Sequence, residues 1–389
     1  MISETRKKLL VVGFVVTLLY SLHFAIPLYV NSIMLGQFFS KEIVSVIIML
    51  GAISALFVTT HLGASIKKYH NYKTTLWLLF VSILTTGFIG FTNIGILVAL
   101  LYILHFSCVA ALFITVNLYI EEFTDVEEEG ATRGLFLTLL NTGILIAPLV
   151  AGGLVNTSGF AGIYTVSALT LVPVIFLIKK FYSHAKEPKY SNANFLLAID
   201  EARKDKNIFG ALAALLALEL FYVLMSVYAS IYIVQVIGIP LPVYLGVIMP
   251  FALIPFVLLP YGLGKLADIE TGEKELMMLG IILIGLATLG ITFISSTNPM
   301  FWAGILFIAR AGAATLEAMV FSYFFKKVER SDVGLVALFG SIRTVAFIFV
   351  PLVGSIFFLL SDNFKILFVL SGLAILYSLR PVLKIRDTK

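Results

Sequence analysis

Twelve apolar stretches, each near the roughly 20 residues a helix needs to cross a bilayer, succeed one another along the 389-residue chain. They cover 9–33, 42–66, 74–92, 94–120, 133–155, 161–178, 208–238, 240–264, 275–296, 299–325, 333–360 and 364–383, numbered below as spans 1 to 12. With 60% hydrophobic and 13% charged residues, no water-soluble core is being built. The expected class is an all-α membrane protein with twelve transmembrane helices.

Charge then sets an orientation. Of the 27 Lys and Arg residues, 23 fall in the termini and every second loop, only Lys41 and Lys365 fall in the other loops, and Arg310 and Arg343 lie within spans. Basic loops stay on the cytoplasmic side, so both termini are expected inside, in the plasma (inner) membrane. The basic balance is therefore topogenic and gives no reason to invoke nucleic acid. Arg6, Lys7 and Lys8 before an apolar run resemble a secretory leader. The run continues too long, without a small-residue cleavage site, and a retained first helix is expected.

Several chemistries lack their residues. Cys108 is the one cysteine, which excludes an internal disulfide and a cysteine-based metal site. The stretch Gly262-Leu263-Gly264-Lys265 lacks the spacing of a nucleotide-binding loop, and there is no HExxH or nucleophile elbow. An enzyme is not expected, nor a cofactor or metal.

The longest inside segment divides six spans from six. The expected organisation is an N-terminal bundle at 1–180, a linker at 181–207 and a C-terminal bundle at 208–389. Within the linker, Phe195, Leu196, Leu197 and Ile199 stand among Asp200, Glu201, Arg203 and Lys204, a pattern for a short amphipathic surface helix or a merely solvated connector. The halves echo each other. Gly63 to Lys67, with Asn71 and Lys73, matches Gly264 to Asp268, with Gly272 and Lys274, at an offset of 201. Pro148-Leu149-Val150 in span 5 recurs as Pro351-Leu352-Val353 in span 11, at an offset of 203. Two matches in corresponding spans favour an internal duplication with parallel repeats.

These residues resemble the major facilitator superfamily over essentially the whole chain. Gly264-Lys265-Leu266-Ala267-Asp268 followed by Gly272 and Lys274 is similar to that family's signature loop, with Ile269 where a basic residue is usual and one extra residue before the glycine. The first-half copy, from Gly63, has Lys67 in place of the acid. Gly143, Ala147, Pro148, Ala151, Gly152 and Gly153 resemble the span-5 motif of the family's antiporters, although plain helix packing explains small residues equally well. The resemblance implies two pseudo-symmetric six-helix bundles around a central cavity. It also implies that Asp268 approaches the start of span 5, where Arg133 stands.

Polar residues inside the spans add separate evidence. His23, His105, Glu219, Arg310, Glu317 and Arg343 lie in spans 1, 4, 7, 10, 10 and 11, while spans 3, 6, 9 and 12 have no ionisable group near mid-membrane. Glu219, Tyr222, Ser226 and Ser230 follow helical spacing and draw one polar stripe on span 7; Tyr20, His23, Pro27 and Asn31 do the same on span 1. By helical rise His105, Glu219, Arg310 and Arg343 each lie roughly 15–17 Å into their spans. A charge there is unfavourable by about 2.5–3.5 kcal/mol on the insertion scale, so these groups need partners or a wet cavity. The bland reading is that an acid neutralises an arginine across helices. His105 and His23 have a similar reading, as imidazoles satisfied by neighbouring carbonyls, and Asn141 as an interhelical hydrogen bonder. Glu121, Glu122, Asp125, Glu127, Glu128 and Glu129 form an acidic loop between spans 4 and 5, either a latch for Lys67, Lys68 and Lys73 or simply solvated.

The expected function is secondary active transport by alternating access, with proton-coupled export of an amphipathic or hydrophobic small molecule by a monomer in the lipid bilayer. Glu219 is the principal proton carrier, with Glu317 second and His105 a further titratable group. Tyr20, His23, Phe24, Asn141, Tyr222, Ser226, Arg310 and Arg343 are the substrate-binding candidates. Gly63, Lys67, Arg133, Gly264, Asp268, Gly272 and Lys274 are the gating residues, and Gly143, Pro148 and Gly152 the helix-5 motif. Two alternatives stand: an organic-anion carrier using Arg310 and Arg343, and a non-transporting membrane sensor or scaffold.

Overall fold

The computed structural model describes residues 4–124, 129–183, 195–328 and 333–387, apart from the side chains at 5, 129–131, 133, 195–197, 268 and 333. Among these residues there is no strand, and ten helical runs are long and apolar enough to span a membrane. Two of the ten, Lys41–Phe91 and Gly134–Phe181, are about twice the needed length. Each contains one residue outside helical geometry: His70 at φ 68°, ψ 154° and Gly159 at φ 59°, ψ −152°.

Both runs fold back on themselves there. Ser107 Oγ donates to Ser54 Oγ at 2.8 Å, and His105 Nδ1 meets Thr86 Oγ1 at 2.8 Å. Ser54 and Thr86 would lie about 48 Å apart on a straight helix, yet both reach residues two positions apart. Each is 16 residues from His70 (70 − 54 and 86 − 70), which puts the turn at that histidine. Likewise Leu140 O and Ser167 O are reached from Ser21 at 2.6 Å and His23 at 2.9 Å. Ten runs thus become twelve spanning helices: α1 (Glu4–Ala25), α2 (41–69), α3 (71–91), α4 (Gly95–Phe123), α5 (129–158), α6 (160–181), α7 (Lys206–Val236), α8 (Leu241–Thr271), α9 (Glu273–Ile291), α10 (Pro299–Lys327), α11 (Val333–Leu360) and α12 (Phe364–Leu383).

The chain forms two compact units, Met1–Ser191 and Asn192–Lys389. In the first, Val16, Leu112, Val116, Leu171, Val174 and Ile178 are fully buried together; their 3–4 residue spacing on α4 and α6 presents one face of each helix inward. Lipid tails are as apolar as leucine, so close fit rather than hydrophobicity holds spanning helices together. Glycines supply that fit. A Cβ on Gly143 would collide with Ser21 of α1, and one on Gly90 would press on the Ala161 backbone of α6. In the second unit Gly280 meets Gly312 across α9 and α10, and Gly285 meets Gly372 across α9 and α12.

Three local features differ from the sequence expectation. Span 1 does not run to residue 33. Helix α1 stops at Ala25, turns occupy 26–30, and Asn31–Leu35 is a separate short helix. Pro27 has no N–H for the carbonyl of His23 four residues back, and Ser167 Oγ of α6 donates to that carbonyl instead, at 2.6 Å. Second, α7 passes into π-helical turns at Leu224–Ala229 and Tyr232–Val236. Each adds a residue to the turn, so the polar stripe loses its register after Tyr222. Ser226 Oγ closes on Tyr222 O at 2.8 Å, and the buried Ser230 hydroxyl pairs with Tyr244 of α8 at 3.0 Å.

The third concerns the repeat. Gly272, at φ 78° and ψ 172°, takes nearly the backbone shape of His70, and the two are 202 residues apart (272 − 70) rather than 201. The extra residue lies in the π-turn Ala267–Thr271, where Gly272 N bonds Ala267 O, five positions back, at 3.0 Å. Outside the spans, Phe195–Lys204 is helical and packs on α7 and α11, with Ala198 and Ala202 buried and Asp200 and Lys204 paired on the exposed side. Asp205 caps α7 by accepting from Asn207 N at 2.7 Å.

Candidate functional site

The mid-span charges of the second unit gather on three helices. Arg343 of α11 directs Nε at both carboxylate oxygens of Glu219 on α7, at 3.1 and 3.0 Å. The partners differ in exposure, with 55% of the Arg343 side chain accessible against 5% for Glu219. Three residues along α7, Tyr222 donates its hydroxyl to Glu317 Oε2 of α10 at 3.1 Å. Tyr222 also packs against Phe221 and, across α8, Phe256. Glu219, Tyr222, Glu317 and Arg343 therefore form one connected group, two carboxylates about one guanidinium. Buried two turns along α10 from Glu317, Arg310 places Nη2 3.8 Å from Met249 Sδ of α8. Helical spacing left the choice of partners open.

In the first unit the polar centre is a pair of histidines. The rings of His23 (α1) and His105 (α4) meet edge to face, centroids 5.2 Å apart. His23 Nδ1 faces Ser167 O at 2.9 Å, so that nitrogen carries the proton and Nε2 accepts from Ser82 Oγ at 2.9 Å. His105 Nδ1 is bound to Thr86 Oγ1. Ser82 and Thr86 lie on α3 and Ser167 on α6, helices singled out in the sequence only for lacking ionisable groups. Hydroxyls are cheap enough in an apolar helix that they carried no signal. Tyr20 is buried with its hydroxyl on Val109 O at 2.8 Å and its ring 5.3 Å from Phe24. Asn31 accepts from Tyr164 at 2.7 Å. Asn141 is half-buried on α5, beside the Leu140 carbonyl that holds Ser21.

Of the motif residues, Gly63 is buried near the end of α2 and Lys67 is exposed. Gly264 and Lys274 are half-buried, and Gly272 starts α9. Pro148 lies inside α5 and Gly152 is buried beyond it. The side chains of Arg133 and Asp268 fall outside the described residues, as do Asp125, Glu127, Glu128 and the Glu129 side chain of the acidic loop. At the described end of that loop Arg6 donates to the carbonyls of Glu122, Phe123 and Thr124, closing the C-terminus of α4. The chain order also hid Glu273, directly after the signature glycine. Its buried carboxylate takes Lys326 Nζ at 2.5 Å and Ser322 Oγ at 3.0 Å, both from α10.

Twelve spans, two units and paired charges at mid-span define a multi-pass membrane transporter. Residues 9–351 match the family model of the Major Facilitator Superfamily, and the chain belongs to that family: it is a secondary transporter and not an enzyme. No curated protein sequence matches it. Among solved structures, the POT family transporter PepTSo, determined in meso, is similar with a TM-score of 0.74 over 97% of each chain at 12% identity. At that identity the likeness is one of fold.

Proposed function

We propose that this transporter exports an amphipathic or hydrophobic small molecule in exchange for protons, with both termini cytoplasmic and the coupling carried by the Glu219–Arg343 pair. The observation behind this reading is the unequal burial of the pair. A carboxylate enclosed at mid-span is tolerated because a guanidinium neutralises it, and withdrawing the guanidinium leaves an uncompensated charge at a cost of roughly 3–5 kcal/mol. A proton on Glu219 removes that cost. Movement of the open Arg343 and protonation of the enclosed Glu219 are therefore linked, which is the requirement for a coupled cycle of alternating access. Glu317, bound by Tyr222 one turn along α7 from Glu219, serves as the relay, and the Tyr222 and Phe256 rings offer an apolar wall to the substrate.

Proteoliposomes screened for substrate-dependent proton movement test the reading. Glu219→Gln keeps the shape of the protonated acid, so it should abolish accumulation driven by a pH gradient while leaving substrate binding and passive exchange. Gradient-driven transport surviving in that variant would rule Glu219 out. A second reading, carriage of an organic anion, draws on the same geometry, because Glu219 engages only Nε and leaves the outer edge of the Arg343 guanidinium for a carboxylate. In that case Arg343→Gln loses substrate binding and Glu219→Gln does not.

A further inference from the structure

We infer that Asp387, beyond the last spanning helix, is a positioning residue for the signature loop between α8 and α9. The loop ends at Gly272 in a left-handed conformation that glycine adopts without strain. A second constraint acts at the same atom: a Cβ there would run into the Asp387 carboxylate. Asp387 Oδ1 accepts from the N–H of Glu273 at 3.1 Å, the first amide of α9, where a negative charge is favoured. The loop thus meets its restraint through two successive residues, and the restraint comes from more than a hundred residues away.

The segment that carries Asp387 is itself anchored. Ile385 is buried beside Gly210 of α7. Arg386 N donates to Asn207 Oδ1 at 2.8 Å, and Arg386 O accepts from Tyr323 Oη at 2.6 Å. The starts of α7 and α9 and the end of α10 are therefore tied through three successive residues, Ile385, Arg386 and Asp387, and the Glu273–Lys326 pair also links α9 to α10. The first unit has a contact of its own at the corresponding place. There the residue after the left-handed turn is Asn71, and its amide donates to Thr115 O of α4 at 3.1 Å. In the second unit the hold is a charged cap delivered by the segment after α12. Displacing that segment releases it.

Hydrogen exchange in the full chain, in nanodiscs, reads this out at the amides of 267–275. Asp387→Asn should speed exchange of the Gly272 and Glu273 amides at least tenfold while the mid-α9 amides keep their protection, and Asp387→Glu should restore the slow rate. A side chain that merely fills space would be replaced as well by Asn as by Glu. Equal exchange in wild type and Asp387→Asn, or faster exchange not reversed by Glu, overturns the assignment. Maleimide labelling of Ala267→Cys in a Cys108→Ala background gives a second measure, since Ala267 is buried. Its rate should rise in a chain ending at Lys384, and an unchanged rate there would overturn the inference equally.

Discussion

His70 holds a backbone conformation that side chains other than glycine's rarely adopt, at a cost of order 1–3 kcal/mol. The corresponding turn in the second unit uses Gly272, which shows that the shape and not the imidazole is what the repeat requires there. His70 is exposed, so its side chain contributes little in exchange. His70→Gly is expected to raise the stability of the first unit by about 1 kcal/mol, after subtracting the extra chain entropy of glycine; thermal unfolding in detergent checks it, and a lowered midpoint would contradict it. At this scale the sequence was informative where a charge was costly. Glu219, Glu317 and Arg343 stood out, and the structure joins them. It was silent where a hydroxyl suffices, so Ser82, Thr86 and Ser167 around His23 went unseen.

Helix contacts turn on whether a glycine faces a neighbour, and α10 has one of each kind. Gly312 lies against the Gly280 carbonyl and Leu283 of α9, whereas nothing stands near Gly304. Gly312→Val should force the two helices apart and destabilise the unit by about 1–3 kcal/mol. Gly304→Ala should be neutral or stabilising by up to about 1 kcal/mol through helix propensity. Similar effects for both variants in a thermal-shift assay would mean that α9 and α10 are not held by this close approach. Hydropathy predicted the existence of these helices well and their interior poorly. It drew α1 through Pro27, where the lost hydrogen bond ends the helix, and it drew a straight polar stripe on α7. The π-turns that bend the stripe lie where α7 meets α8 in the Ser230–Tyr244 contact, and no local sequence rule announces them.

For the whole molecule, orientation is the next measurable property. Single cysteines in a Cys108→Ala background should be reached by an impermeant reagent from the outside at 36–40 and 295–298, and from the inside at Glu270. Labelling of Glu270→Cys from outside would reverse the topology that the basic loops imply. The spanning helices and the family were written in the chain, because the cost of burying charge and unsatisfied backbone in lipid acts residue by residue and leaves its mark locally. The sequence by itself also placed the mid-span acids and arginines. It did not decide that Glu219 takes Arg343 while Glu317 takes Tyr222, that Arg310 reaches Met249, or that Asp387 closes on Gly272. Those pairings depend on how helices rotate and approach one another, and residues 95 to 124 positions apart meet through packing that no single segment encodes.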